Sequence, residues 1–182
     1  MTAADTSSGA VPRATGGGDP VAARWGLLVV WTAAAAAIGV ALVLEHGFGF
    51  APCRLCLYER VPYYAVLALL PVAALLGRPR LGLGLAGLLL LGDAGLSAYH
   101  VAVEQGWVPL PQICAAAAGE ARTIEELRAQ IMGAAPTCDQ VSASFLGLSL
   151  AAWNGLYALG AGLASLLSLA AASGGGVPPQ EA

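Results

Sequence analysis

The sequence predicts an all-α membrane protein: a four-transmembrane-helix bundle with a short amphipathic surface helix in its second outer loop. Three observations predict it. Of the 182 residues 58% are hydrophobic and 10% are charged, whereas a soluble domain carries about 25% charged residues. Four apolar stretches approach or exceed the roughly 20 residues that a helix needs to cross a bilayer. The polar, turn-forming segments fall between or outside those stretches. Too few charges remain to coat a water-soluble globule, which excludes an ordinary cytosolic enzyme and a disordered chain. The basic residues are eight arginines against eleven acids, net −3, so no basic footprint for a nucleic acid exists.

The first span runs from Trp25 to Leu44 without a charge, the second from about Leu57 to Leu76, the third from Leu81 to about Val101, and the fourth from about Phe145 to Ala172. Backbone groups in lipid must be satisfied internally, so the spans are expected as helices. The second contains Pro62 and Pro71, and the third carries Asp93 at its middle, an acid that pairs with another helix, lines the bundle or tunes function. Small residues such as Gly82, Gly84, Gly87, Gly155, Gly160 and Gly162 let helices approach closely. Residues 1–24 read as a disordered tail, 25–172 as the membrane domain and 173–182 as a second tail. The apolar run after the first tail is too long for a cleaved signal segment.

Four spans place the loop from Glu45 to Cys56 and the loop from Ala102 to Gln140 on one side. Arg78 and Arg80 crowd the short turn on the other side, and Arg24 abuts the first span. Arginine density thus favours cytoplasmic tails. All four cysteines, Cys53, Cys56, Cys114 and Cys138, then face the outer side, where disulfides persist.

Cys53-Arg54-Leu55-Cys56 is a Cys-x-x-Cys motif preceded by Pro52, a residue favoured at helix starts. A thiolate at a helix N-terminus is stabilised by the dipole and becomes reactive near neutral pH. By itself the motif also suits a structural bridge or half a metal site. Leu57 follows where haem attachment requires His. Arg60 continues the helical stripe of Cys53 and Cys56. A cation there, one turn inside the membrane, either snorkels, pairs with Glu59, or stands beside a thiolate and an electron acceptor. Cys114 and Cys138 lie 24 residues apart; by spacing they make a structural bridge or, if exposed and mobile, a shuttle. Between them Thr123-Ile124-Glu125-Glu126 forms a capping box, and Ile124, Leu127 and Ile131 recur at helical spacing, which predicts the surface helix. A four-cysteine zinc site usually has two tight pairs, and only one pair is tight here.

The run Cys53-Arg54-Leu55-Cys56-Leu57-Tyr58-Glu59-Arg60 resembles the Cys-x-x-Cys-x-Tyr-Glu-Arg signature of the disulfide bond formation protein B (DsbB) family, bacterial inner-membrane thiol–quinone oxidoreductases. The resemblance continues through Ala98–Glu104 and Trp107 before Cys114, and through Cys138 to Phe145–Ser149 and Trp153-Asn154, covering roughly residues 25–172. It implies a four-helix bundle in the bacterial inner membrane with both termini cytoplasmic and the cysteine loops periplasmic. It implies a membrane oxidase that reoxidises a periplasmic thioredoxin-like dithiol oxidase (DsbA-like) and passes the electrons to ubiquinone or menaquinone, sustaining protein disulfide bond formation. It further implies that Cys114 receives the partner's thiol, that Cys138 is its pair and exchanges with Cys53, and that Cys56 is the quinone-proximal thiolate. Arg60 would polarise a quinone oxygen, and His100 would line the same pocket. No metal is implied. Arg54 departs from the apolar residue common between the paired cysteines, and a cation there would further favour the thiolate.

Two rivals make other forecasts. A vitamin K epoxide reductase-like protein carries its membrane-proximal Cys-x-x-Cys late in the bundle, whereas here it opens the second span. A scaffold or transporter with two structural disulfides would have inert bridges and leave Arg60 without a purpose.

Overall fold

The computed structural model describes residues 20–114, 123–125, 128 and 136–174. Four helices are long and apolar enough to cross a membrane: α1 (Pro20–Leu42), α2 (Arg54–Leu75), α3 (Pro79–Glu104) and α4 (Leu150–Ser173). The chain is a multi-pass membrane protein. α1 begins five residues before the expected first span, and a π-helical turn, Val43–Gly47, extends its far end. The surface helix expected from Thr123 falls largely outside the described residues.

The helices form a ring in which each packs on its neighbours, α1 on α2, α2 on α3, α3 on α4 and α4 on α1, with α1 also touching α3 across the centre. The stripe Leu55, Glu59, Tyr63, Val66, Leu70 and Ala73 of α2 is buried, at the three- and four-residue spacing of one helix face. Leu27, Val30, Ala34 and Ile38 of α1 and Leu83, Ala86 and Leu90 of α3 complete the central core. Leucines such as Leu75 and Leu167 point outward, as lipid-facing residues do.

Proline removes a backbone donor and frees the carbonyl four residues before it. For Pro71 that carbonyl belongs to Leu67, and the Trp31 indole N–H of α1 donates to it at 3.1 Å. The break in α2 is thus sealed by a neighbouring helix, as an apolar surrounding demands. Ser165 Oγ of α4 likewise donates to Leu83 O of α3 at 2.8 Å, and Tyr157 Oη to Ala33 O of α1 at 2.9 Å.

Glycine sets the closest approach of α2 and α3. A Cβ on Gly82 would lie 2.6 Å from the Ala73 Cβ, a methyl that has no rotamer to escape into. Gly160, expected among the packing glycines, meets nothing within 4 Å, because it faces away from the bundle. Gly82→Ala is therefore expected to cost about 1–3 kcal/mol by overpacking, and Gly160→Ala to leave stability unchanged. Thermal unfolding of the two variants in detergent, followed by circular dichroism, checks this.

The fourth span differs at its start from the sequence expectation. Phe145 belongs not to a helix but to a two-stranded hairpin, β1 (Ser144–Phe145) against β2 (Leu148–Ser149). Leu146 and Gly147 both have positive φ, the conformation of a two-residue hairpin turn that fits the strand twist. Ser149 then caps α4, its Oγ accepting from Ala152 N at 3.2 Å. Trp153 Nε1 donates to Phe145 O at 2.9 Å and holds the hairpin on the helix.

Candidate redox site

The site lies where α1 ends, α2 begins, α3 ends and α4 begins, the end of the bundle to which antiparallel threading brings both cysteine-bearing segments. Cys53 is the N-cap of α2, and its Sγ accepts from Cys56 N at 3.2 Å. Cys56, one turn on, stands with its Sγ 2.9 Å from Cys53 Sγ. Neither is in a disulfide, so one sulfur donates its proton to the other. Cys53 is 1% exposed and Cys56 is half-buried.

The hydrogen bond from the Cys56 thiol is the main reason that the Cys53 thiol is lowered from the usual 9.0 to about 4. Burial opposes the shift, and His100 and the Cys56 backbone N–H reinforce it. Arg54, the cation expected to favour the thiolate, is exposed, and the shift comes chiefly from Cys56 and His100.

His100 arrives from α3, with Nε2 3.5 Å from Cys53 Sγ and Nδ1 2.9 Å from Glu59 Oε1. His100 is 2% exposed, and Glu59 is buried as well. A carboxylate only accepts, so Nδ1 holds a proton and Nε2 is turned to the sulfur. Ser97 hydrogen-bonds Glu59 and accepts from Asn154 Nδ2 at 2.9 Å. Asn154 also donates to Asp93 Oδ2 at 3.1 Å and accepts from Tyr63 Oη at 3.0 Å. Asp93 thus pairs with another helix, the first of the roles open to it.

Arg60 pairs with Glu45 of the π-helical turn at 2.5 Å, not with Glu59, whose face of α2 turns to His100. A cavity of about 520 Å³ opens beside these groups, with Cys56, Glu59, Arg60, Tyr63 and His100 in its wall and Ile38, Val40, Leu44 and Leu156 among its apolar lining. That volume lies within the range of small-molecule sites.

Cys114, in the short 3-10 turn Gln112–Cys114, is bonded to Cys138 with a Cα separation of 5.4 Å. A shuttle by the sequence argument is an exposed pair, yet both sulfur residues are buried. They share one apolar cluster with Cys53, Leu55 and Val103, because a disulfide is itself an apolar group that packs well under a loop.

The structure therefore brings together Cys56, His100 and Arg60 around one cavity, sets Cys53 behind it against Cys56 and His100, and packs the second pair in one cluster with Cys53. Sequence reasoning missed Glu59 as the partner of His100 and Glu45 as the partner of Arg60. The signal for Glu59 is its place on the buried stripe, four residues before Tyr63.

The family model described as disulfide bond formation protein DsbB matches residues 23–168. The chain belongs to the disulfide bond formation protein B family. Among its relatives named Disulfide bond formation protein B, that of Azoarcus sp. (strain BH72) is 34% identical over 149 residues, 78% of this chain and 87% of the relative. That of Chromobacterium violaceum is 31% identical over 146 residues, 75% and 87% of the two chains. That of Albidiferax ferrireducens is 35% identical over 136 residues, 70% and 74%. No solved structure matches significantly. Membership in the DsbB family supports a part in disulfide bond formation and disulfide oxidoreductase activity.

Proposed function

We propose that this protein is an inner-membrane oxidase that reoxidises a periplasmic DsbA-like thiol oxidase and delivers the electrons through two cysteine pairs to ubiquinone or menaquinone. Its termini are cytoplasmic and its cysteine loops periplasmic. The observation that carries this reading is the stacking of the Cys114–Cys138 disulfide on Cys53 in one cluster, with Cys56 opening on a cavity between the spans.

A reduced partner attacks Cys114 Sγ, its sulfur bonding to Cys114 while Cys138 leaves as a thiolate. The partner's second thiol resolves this mixed disulfide and departs oxidised. Cys138 then attacks Cys53 of a closed Cys53–Cys56 pair, freeing Cys56, and Cys114 recloses the loop disulfide. An arrangement with the loop pair closed and the inner pair open is what that exchange would leave, which is compatible with the pairing seen here. Closing Cys53–Cys56 again releases two electrons and the one proton held between the sulfurs. A bound quinone would supply the two-electron acceptor for that closure, with the second proton of its reduction drawn from solvent. Arg60 and His100 would hold it from the polar side of the cavity, and the apolar residues of α1 and α4 would hold its ring and tail. The burial of Cys114 means that the loop pair swings off Cys53 to meet a soluble partner, so the two exchanges alternate.

The test is quinone reduction by the purified full-length protein in detergent, with a reduced DsbA-like oxidase as donor. Turnover with either quinone supports the reading. No turnover with either, while both disulfides stay inert to the donor, would overturn it in favour of structural bridges. Arg60→Met is expected to lower kcat/KM for quinone about a hundredfold, the usual loss for one preorganised donor. Glu45→Gln, which only releases the guanidinium, is expected to cost less; steady-state kinetics at varied quinone concentration measure both.

A further inference from the structure

We propose that the reduced Cys53–Cys56 pair and His100 form a binding site for one thiophilic cation of the Zn²⁺ or Cd²⁺ type. The sequence argument weighed zinc only on four cysteines. The fold supplies a different donor set, with the third ligand brought 47 residues along the chain by α3. The two sulfurs and a ring nitrogen of His100 lie within 4.8 Å of one another. Ligand atoms in a tetrahedral zinc site stand about 3.5–3.8 Å apart, given bond lengths of about 2.3 Å to sulfur and 2.0–2.1 Å to nitrogen. The 3.5 Å between Cys53 Sγ and His100 Nε2 already meets that figure, and the sulfurs, at 2.9 Å, need to part by less than 1 Å.

A second observation points to the same ligand. Glu59 holds His100 Nδ1 at 2.9 Å, the carboxylate–histidine pairing that fixes the tautomer and aims the other nitrogen at a metal. Two thiolates and an imidazole select soft and borderline cations over magnesium or calcium. Three protein ligands leave a fourth position, and Cys56 in the cavity wall turns that position toward the cavity.

No electron moves on binding. Two metal–sulfur bonds and one metal–nitrogen bond form, and the thiol proton held between the sulfurs and the Nε2 proton that faces Cys53 both leave to solvent. The disulfide form offers no thiolate and binds nothing. A bound cation therefore holds the pair reduced and blocks its closure. That inhibition rests on the proposed relay, but the binding itself does not.

The experiment uses full-length protein carrying Cys114→Ser and Cys138→Ser, so that one cysteine pair remains, in detergent without quinone or donor. Cd²⁺ is titrated into the reduced and oxidised forms and followed by thiolate-to-metal absorbance, and the zinc-loaded reduced form is examined by X-ray absorption. The expected result is one cation per reduced chain and none per oxidised chain. The expected shell has two sulfurs and at least one imidazole nitrogen, and Glu59→Gln is expected to weaken binding about 10- to 100-fold. No binding to the reduced form, or a shell without imidazole, overturns the proposal. X-ray absorption reads the site with Glu59 and His100 intact, so a Glu59→Gln chain that fails to fold does not blunt the test. Absence of binding leaves the relay's own assay untouched.

Discussion

Cys56→Ser is expected to abolish donor-linked quinone reduction, by a factor on the order of 10³ or more, because groups that act as a unit fail as a unit. Cys56 stands 2.9 Å from Cys53, sulfur to sulfur, and it is the sulfur that meets the cavity. Serine keeps the size and the hydrogen bond but cannot bond to sulfur, so the fold stays while the electrons have no exit. The loss therefore comes with a specific trapped species. In Cys56→Ser, Cys114→Ser protein the remaining Cys53 and Cys138 lie in one cluster and are expected to join as a Cys53–Cys138 disulfide. Peptide mass mapping under non-reducing conditions detects it. Turnover retained in Cys56→Ser, or a double variant whose two thiols stay free under oxidation, would show that the inner exchange does not run between these sulfurs.

The proposed relay has a physical requirement with which the placement of the cysteines is compatible. A water-soluble thiol and a lipid-soluble acceptor cannot meet, so two sulfur pairs at different depths are needed. α2 begins at the sulfur pair itself, which sets Cys53 as a cap and Cys56 one turn inside. The cap position does two jobs: it presents Cys53 to the loop disulfide above and gives its sulfur the Cys56 backbone N–H. Exchange rates depend on the thiolate fraction and on access. In that relay, burial of the loop pair against Cys53 would favour the internal exchange at the expense of the external one.

Spans and cysteines were legible in the sequence because their signals are local. Hydropathy over twenty residues finds a helix without knowing its neighbours, and a Cys-x-x-Cys before a helical run locates a cap. Pairings between helices were not. Glu59 and Arg60 are adjacent in sequence, and only the rotation of α2 decides that one faces His100, 41 residues away, and the other Glu45. The start of α4 was misjudged for a related reason. Phe145, Leu146 and Leu148 are as apolar as a span, and the positive φ at Leu146 is not a preference of leucine. The burial of Cys114–Cys138 follows from which surface the loop finds, a property of the assembled bundle.

The Cys53 thiolate is expected to halve the pH dependence of the inner pair's reduction potential. An ordinary dithiol takes up two protons with two electrons, a slope of about 59 mV per pH unit, and a pair that takes up one proton follows about 30 mV. Cys53 is lowered from 9.0 to about 4, chiefly by the hydrogen bond from Cys56 and with His100 assisting, so between those limits the reduced pair carries a single proton between its sulfurs. The sign follows by linkage. A depressed acid contributes stability that is full above the unfolded value near 9; this is lost as pH falls and gone near 4. The reduced form thus gains stability across neutral pH, which makes the pair a better oxidant of the loop cysteines than a free dithiol. Potentials of the Cys114→Ser, Cys138→Ser protein measured against glutathione or dithiothreitol from pH 5 to 8 test the slope. Thiolate absorbance near 240 nm, expected to persist down to about pH 4, tests its cause. A slope of about 59 mV per unit, with absorbance lost near pH 8–9, would mean that Cys53 is an ordinary thiol. His100→Ala, which removes the secondary stabilisation, is expected to move the absorbance midpoint upward while leaving it below the ordinary thiol range, because the Cys56 hydrogen bond survives.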